Sequence, residues 1–199
     1  LPNMEDEHAK ARTRDELPQS ASGKTIMTTE PKFIPKEAVS INVADNLDMK
    51  VKMIDCVGYV VKDAEGQFED GKERMVRTPW FDYDIPFSKA AEIGTNKVIN
   101  NHSTVGIVVT TDGSFGELPR ESYLEAEQKT VDELKAIGKP FVILLNTDKP
   151  SSSQTAALSA EMSDTYGASV IPVNVEQLRE SDITYIFTEL LMSFPVTSI

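Results

Sequence analysis

The chain has 199 residues, 40% of them hydrophobic, with a formal net charge of −12 and a pI near 4.6. That length suits one domain with its own core, and the negative field repels phosphate backbones and anionic lipid surfaces, which excludes nucleic acid as a partner. A single cysteine, Cys56, permits no internal disulfide and fits a reducing compartment, while no apolar run reaches the ~20 residues of a membrane span and the charged N-terminal stretch is unlike a signal peptide.

In chain order, residues 1–22 read as an exposed polar segment, helical around Asp6 to Leu17 and stopped by Pro18. Residues 23–199 read as the folded unit. AVSINVA (Ala38 to Ala44) and MKVKMIDCV (Met49 to Val57) are β-type runs joined by DNLD, which predicts an antiparallel hairpin. The second run turns continuously apolar around Asp55, so the expectation is an acid at the end of a buried strand. Val60 to Phe87 is rich in charge, glycine and aromatics without a period, and reads as a long loop or lid.

Helical spacing begins at Phe87, Ala90 and Ala91 and continues through Val98 and Ile99 to the asparagine pair at 100 and 101. TVGIVVTT (Thr104 to Thr111) is a β-branched run of the kind buried on both faces of a parallel sheet. After the turn DGSFGELP, Leu124, Val131, Leu134 and Ile137 mark a helix that Gly138 and Pro140 end. PFVILLN (Pro140 to Asn146) is the next buried strand. A helix starting at SSSQ runs through Leu158, Met162 and Tyr166 to Gly167, and a short strand, ASVIPVNV, follows. The last helix is expected to have its cap at Ser181, with Ile183, Ile186, Phe187, Leu190, Leu191 and Phe194 on one face. This alternation of strand and helix predicts an α/β fold with a doubly wound, mostly parallel sheet and the hairpin at one edge.

SGKT (Ser22 to Thr25) imitates the second half of a phosphate-binding loop, G-x-x-x-x-G-K-[ST]. Pro18 occupies the position of the first glycine and removes a donor, and no buried strand precedes it. A flexible turn is the better reading. DCVG, Asp55 to Gly58, is placed at a strand end where nucleotide hydrolases of the GTPase type carry an aspartate that holds Mg²⁺ through water and a glycine whose N–H meets the terminal phosphate. A strand-terminal acid with a turn glycine gives the same pattern. Thr28 and Thr29 precede the hairpin, where that class carries a threonine that ligates Mg²⁺ and holds the attacking water.

NTDK, Asn146 to Lys149, follows the strand FVILLN, where GTPases carry N-K-x-D. Lys149 cannot accept the ring donors of guanine, which makes adenine the more credible base; a plain polar turn is the alternative. His8 and His102 are far apart in sequence and form no metal pattern, and Cys56 reads as packing. Trp80, Phe81, Tyr83 and Phe87 fit either a partner surface or a lid folded on its own domain.

Taken together, the blocks RDELPQSASGKTIMTTEPKFIP, VKMIDCVGY, TPWFDYDIPFSKAAEIGTNKVINNHSTVGIVVTTDGS and GKPFVILLN resemble the bacterial stage IV sporulation protein A family, over nearly the whole chain. The resemblance implies a GTPase-like P-loop NTPase, a three-layer sandwich, that hydrolyses ATP with Mg²⁺ and uses the energy to polymerise irreversibly. It implies a basement layer of the spore coat, in the mother-cell cytoplasm on the forespore's outer surface. The implied partners are further copies of itself, other coat morphogenetic proteins and, through other regions, the forespore membrane.

Residue by residue, the resemblance makes Asp55 the Walker B aspartate and Thr28 and Thr29 the threonine pair of hydrolysis, and the DCVG and NTDK patterns add Gly58 and Asn146 as expected nucleotide contacts. Tyr59 departs from the pattern, standing where many GTPases place a water-orienting glutamine. The family's first strand, P-loop and first helix would precede Leu1, and middle and C-terminal domains would follow Ile199. Loss of a central strand would leave buried backbone groups unpaired at ~1–3 kcal/mol each, so residues 1–199 alone are expected neither to fold stably nor to hydrolyse ATP. Two rival readings accompany the ATPase: a self-assembling scaffold with a vestigial nucleotide site, and a true GTPase.

Overall fold

In a computed structural model the chain is described over residues 32–44 and 47–194, with side chains from residue 37 onward in the first stretch. The expected N-terminal helix, the SGKT turn, Thr28 and Thr29 lie outside the described residues. Nine strands and four α-helices are seen among those that are described.

The hairpin forms from β1 (Lys32–Ala44) and β2 (Leu47–Asp55), antiparallel, with register irregularities between Ile34 and Val39 and between Asn42 and Ala44. The 60–87 excursion is not wholly irregular. It holds two small antiparallel ladders, β3 (Phe68–Glu69) with β4 (Lys72–Glu73), and β5 (Met75–Val76) with β6 (Ile85–Pro86). Helix α1 (Phe87–Lys97) then buries Phe87, Ala90 and Ala91 and widens into a π-turn over Val98–His102. Widening releases carbonyls, and the Lys139 ammonium takes up those of Ile99 and Asn100.

The body is a parallel sheet of β7 (Gly106–Thr111), β8 (Phe141–Asn146) and β9 (Val170–Val173), in that order. Its strands are the expected β-branched and aliphatic runs, and the period of two divides them between two helical layers. Val108, Ile143 and Leu145 pack with Val131 and Leu134 of α2 (Leu124–Ala136) and Met162 and Tyr166 of α3 (Ser153–Tyr166). On the opposite face Val142, Leu144, Ile171 and Val173 meet Ile186 and Leu190 of α4 (Glu180–Met192). Each such fully buried side chain contributes ~1.5–3 kcal/mol of transfer free energy, so this sandwich holds the fold.

Four expectations need correction. The hairpin is not hydrogen-bonded to the parallel sheet: the outer edge of β7 has no strand partner among the described residues, and the hairpin meets the body through α4 against β1. β7 is not buried on both faces, since Ile107 and Val109 are 37% and 61% exposed. β2 is not buried, because no layer among the described residues covers it; Met53 is 57% exposed and Asp55 is exposed at the strand's end. The last helix starts at Glu180 rather than at a Ser181 cap, since the Asp182 carboxylate accepts the Arg179 N–H at 2.9 Å, and Ile183 and Phe194 stay largely outside the core. The start of α3 is as expected: the Ser152 hydroxyl accepts the Thr155 N–H at 3.1 Å.

Candidate nucleotide site

Ligands of parallel α/β sheets bind outside the carboxyl ends of the strands. Those ends are Thr111, Asn146 and Val173. The loops that leave them are laced together. The Asp112 carboxylate accepts the Ser114 N–H at 2.9 Å and the Ser114 hydroxyl at 2.5 Å, and the same hydroxyl accepts the Asp148 N–H at 2.9 Å. Burial pushes the Asp112 carboxyl up, but hydrogen bonds from Ser114 and Thr147 outweigh it and leave the group below the usual carboxylate range. Thr147 is fully buried, and its hydroxyl accepts the Lys149 N–H at 3.2 Å.

Gly113 sits at φ +88° with its Thr111-bonded N–H at 3.1 Å, and an added Cβ there would lie 2.9 Å from the Arg120 backbone nitrogen. Only glycine fits that corner. The loop it opens is anchored from below by a buried ion pair. Arg120 donates two hydrogen bonds of 2.6 Å to Glu127 and one of 3.0 Å to Thr110, and Tyr166 donates to Glu127 at 2.6 Å. The Glu127 side chain is 1% exposed. Burial raises its pKa, and these partners, Arg120 foremost, more than reverse the shift.

Asn146 is held where the sequence places it, at the end of β8. Its side-chain oxygen accepts the Val175 N–H at 3.0 Å, so it ties β8 to the loop after β9 and leaves its amide donors for a ligand. Lys149, where a guanine site needs an acceptor, is 75% exposed and pairs loosely with Asp148 at 3.4 Å. This end of the sheet thus presents Asn146 at a strand end, with the loops after β7 and β8 tied together beside it.

The turn from Asp55 to Gly58, which the sequence offers for the phosphates, follows β2. Among the residues whose side chains are described, the Asp55 carboxylate forms no hydrogen bond or ion pair, and it is exposed. No group of three His, Cys, Asp or Glu side chains there could hold a metal outright. A carboxylate without a partner among the described side chains fits Mg²⁺, which keeps most of its waters and needs few protein ligands. Gly58 sits at φ +79° with open space about its α-carbon, as close approach by a ligand to its N–H requires. Cys56 is half-buried, and burial raises its thiol pKa despite the Gly58 backbone and Thr95 nearby.

No hydrogen bond joins Asp55 or Gly58 to Asn146. The sequence reading missed the Asp112, Ser114 and Thr147 knot, although DGS after a β-branched run is the signal for a side-chain-closed turn. It also missed the Arg120 and Glu127 anchor, whose partners carry no motif.

A stage IV sporulation protein A ATPase-domain family model matches residues 1–195. The chain belongs to that family. It is 48% identical over 199 residues to stage IV sporulation protein A of Bacillus subtilis (strain 168), and 50% identical to those of Bacillus anthracis and Clostridioides difficile (strain 630). All of the chain is covered in each case and 40% of each relative, so it spans less than half the length of these stage IV sporulation proteins A. No solved structure matches the chain. The α/β body with its three parallel strands is consistent with the ATPase domain of a sporulation protein, and no described helix is long and apolar enough to cross a membrane.

Proposed function

We propose that the full-length protein binds and hydrolyses Mg²⁺-ATP and that turnover drives its irreversible self-polymerisation into the basement layer of a spore coat. The reading is carried by the match to the sporulation ATPase domain, with one geometric observation beside it: the strand ends present Asn146 with free amide donors and, at Lys149, no acceptor for guanine. Adenine has one exocyclic donor and suits such a site better. Asp55 would hold Mg²⁺, Gly58 would offer its N–H to the terminal phosphate, and Thr28 and Thr29 would position the attacking water. The metal, when bound, would supply neutralisation of the charge that develops between the terminal phosphates.

The free outer edge of β7 supports a P-loop NTPase sheet, since Ile107 and Val109, at 37% and 61% exposure, present an apolar face where a further strand and helix would pack. Localisation follows the same reading: the mother-cell cytoplasm at the forespore's outer surface, with other coat proteins and the forespore membrane met through other regions. ATP turnover and sedimentable polymer are measured on the full-length protein beside Asp55→Ala and a Thr28→Ala/Thr29→Ala double variant. Turnover is expected to fall at least ~100-fold in both, by loss of metal and water positioning. Unchanged turnover removes the site; polymer that forms equally well without turnover favours the scaffold with a vestigial site; equal competition by GTP favours the GTPase.

A further inference from the structure

Tyr59 follows the Asp55 to Gly58 turn directly, and burial rises along it, from exposed Asp55 through half-buried Cys56 to Gly58. Tyr59 itself is 8% exposed. The Lys129 ammonium of α2 lies 4.3 Å above the centre of its ring. Lys129 in turn pairs with Glu92 of α1 at 2.7 Å, and Glu92 takes a second lysine, Lys89, at 2.8 Å. Those two lysines, Lys129 first, hold the Glu92 carboxyl down at about 2. The cation over the ring is therefore itself fixed by a carboxylate that stays ionised. Burial, followed by the Glu133 carboxylate, raises the Tyr59 phenol far above its usual range. The phenol oxygen and Glu133 Oε2 are both buried, and neither completes a hydrogen bond of ordinary geometry.

The chain beyond Tyr59 is fastened to the turn that precedes α2 and to itself. Lys62 N–H donates to the Ser122 carbonyl at 3.1 Å, and the Gln67 amide donates to the carbonyls of Val61 and Ala64 at 3.1 Å. Before it, Gly58 has open surroundings and Asp55 is exposed. Within the turn Cys56 is half-buried beside Thr95, and the one buried side chain next to it is Tyr59. A ring so enclosed cannot also orient a water at a phosphate.

We propose that Tyr59 is a positioning residue: seated between α1 and α2 under Lys129, it holds the Asp55 to Gly58 turn at the place where Mg²⁺ and the terminal phosphate are met. The inference rests on the ATPase reading for its consequence, and on the packing alone for its cause. Cys56, inside the turn, reports on the cause without nucleotide.

The test uses the full-length protein and its Tyr59→Phe, Tyr59→Gln and Tyr59→Ala variants. Alkylation of Cys56 by iodoacetamide is followed on its own peptide by mass spectrometry, and kcat and KM for ATP are measured in parallel. Phe keeps the ring and its cation, so Cys56 alkylation is expected within ~3-fold of the parent, whereas Ala and Gln release the turn and raise it roughly tenfold. In both of those variants kcat is expected to fall roughly 10- to 100-fold with a smaller change in KM, as for a displaced catalytic turn. Should Tyr59→Ala not fold, Tyr59→Leu carries the same comparison at similar bulk. Equal alkylation of Cys56 in parent, Ala and Gln overturns the proposal, and so does a Gln variant that turns over ATP as fast as the parent. A parent that alkylates as expected yet hydrolyses no ATP sinks the ATPase reading and leaves the packing inference standing.

Discussion

Two arginine–carboxylate pairs show how differently the two halves of the molecule are built. In the parallel-sheet body, Arg120 and Glu127 meet at 2.6 Å with side chains 15% and 1% exposed, and Thr110 and Tyr166 complete their hydrogen bonds. In the 60–87 excursion, Arg77 and Asp84 approach to 3.7 Å with side chains 63% and 60% exposed. The same chemistry has opposite consequences, because an unpaired charge in the first place has no water to turn to. The body defines one arrangement of its loops. The hairpin and the excursion are held mainly at a few points, such as Tyr59 and Phe87.

The largest expected effect breaks the first pair. Glu127→Ala leaves Arg120 buried without its carboxylate and is expected to cost about 3–5 kcal/mol, read from hydrogen exchange of the β8 amides in the full-length protein. A cost below about 1 kcal/mol would show that water reaches Arg120. Leu145→Ala, at a side chain with no exposure, ranks close behind at about 2–5 kcal/mol by the same measurement.

Acid probes the same pair without mutation. The folded Glu127 carboxyl lies below its ordinary value of 4.5, so the stabilisation is complete above that value and is lost as pH falls through the folded one. β8 protection is expected to drop in the parent as pH falls below the ordinary value of 4.5, and to drop less in Glu127→Gln, which cannot titrate there. Parallel losses in both proteins would assign the acid sensitivity to other carboxylates.

Gly113 and Gly58 carry the comparison to the two loops of the site. Alanine at Gly113 adds left-handed strain and a Cβ pressed on the Arg120 backbone, about 2–4 kcal/mol together, whereas at Gly58 the space is open and strain alone costs about 1–2 kcal/mol. Equal losses on denaturant unfolding would mean that the Gly113 corner relaxes as freely as the exposed turn.

The body was legible in the sequence because its signals are local. FVILLN is the strand covered on both faces that its sequence announces, TVGIVVTT is a strand but covered on one face only, and the helix entry at SSSQ needs only its neighbours. What required three dimensions was missed. The bond from Asp148 N–H to Ser114 spans 34 positions, and no period announces it. The apolar run around Asp55 predicted burial, but burial depends on a covering layer, and β2 has none among the described residues. Asp55 ends β2 and Asn146 ends β8, as their runs announce, while the packing of Tyr59 under Lys129 is tertiary. The Ser181 cap failed for a local reason: Asp182 reaches back to Arg179 and starts the helix earlier.

The smallest expected effect belongs to the exposed pair. A double-mutant cycle of Arg77→Ala and Asp84→Ala is expected to give a coupling of roughly 0.5 kcal/mol or less, and less still at high salt, since both ions keep their hydration and 3.7 Å admits no strong hydrogen bond. The readout is local: exchange of the Val76 and Ile85 amides, whose residues pair across β5 and β6 beside these side chains. A coupling above ~1.5 kcal/mol would mean that the excursion is shielded from water in the full-length protein. Subunit contact in a polymer is one way to shield it, so the cycle is run below and above the assembly concentration. A coupling that grows only on assembly would place the excursion at a contact between copies; one that is large in both states would overturn the contrast between the two halves.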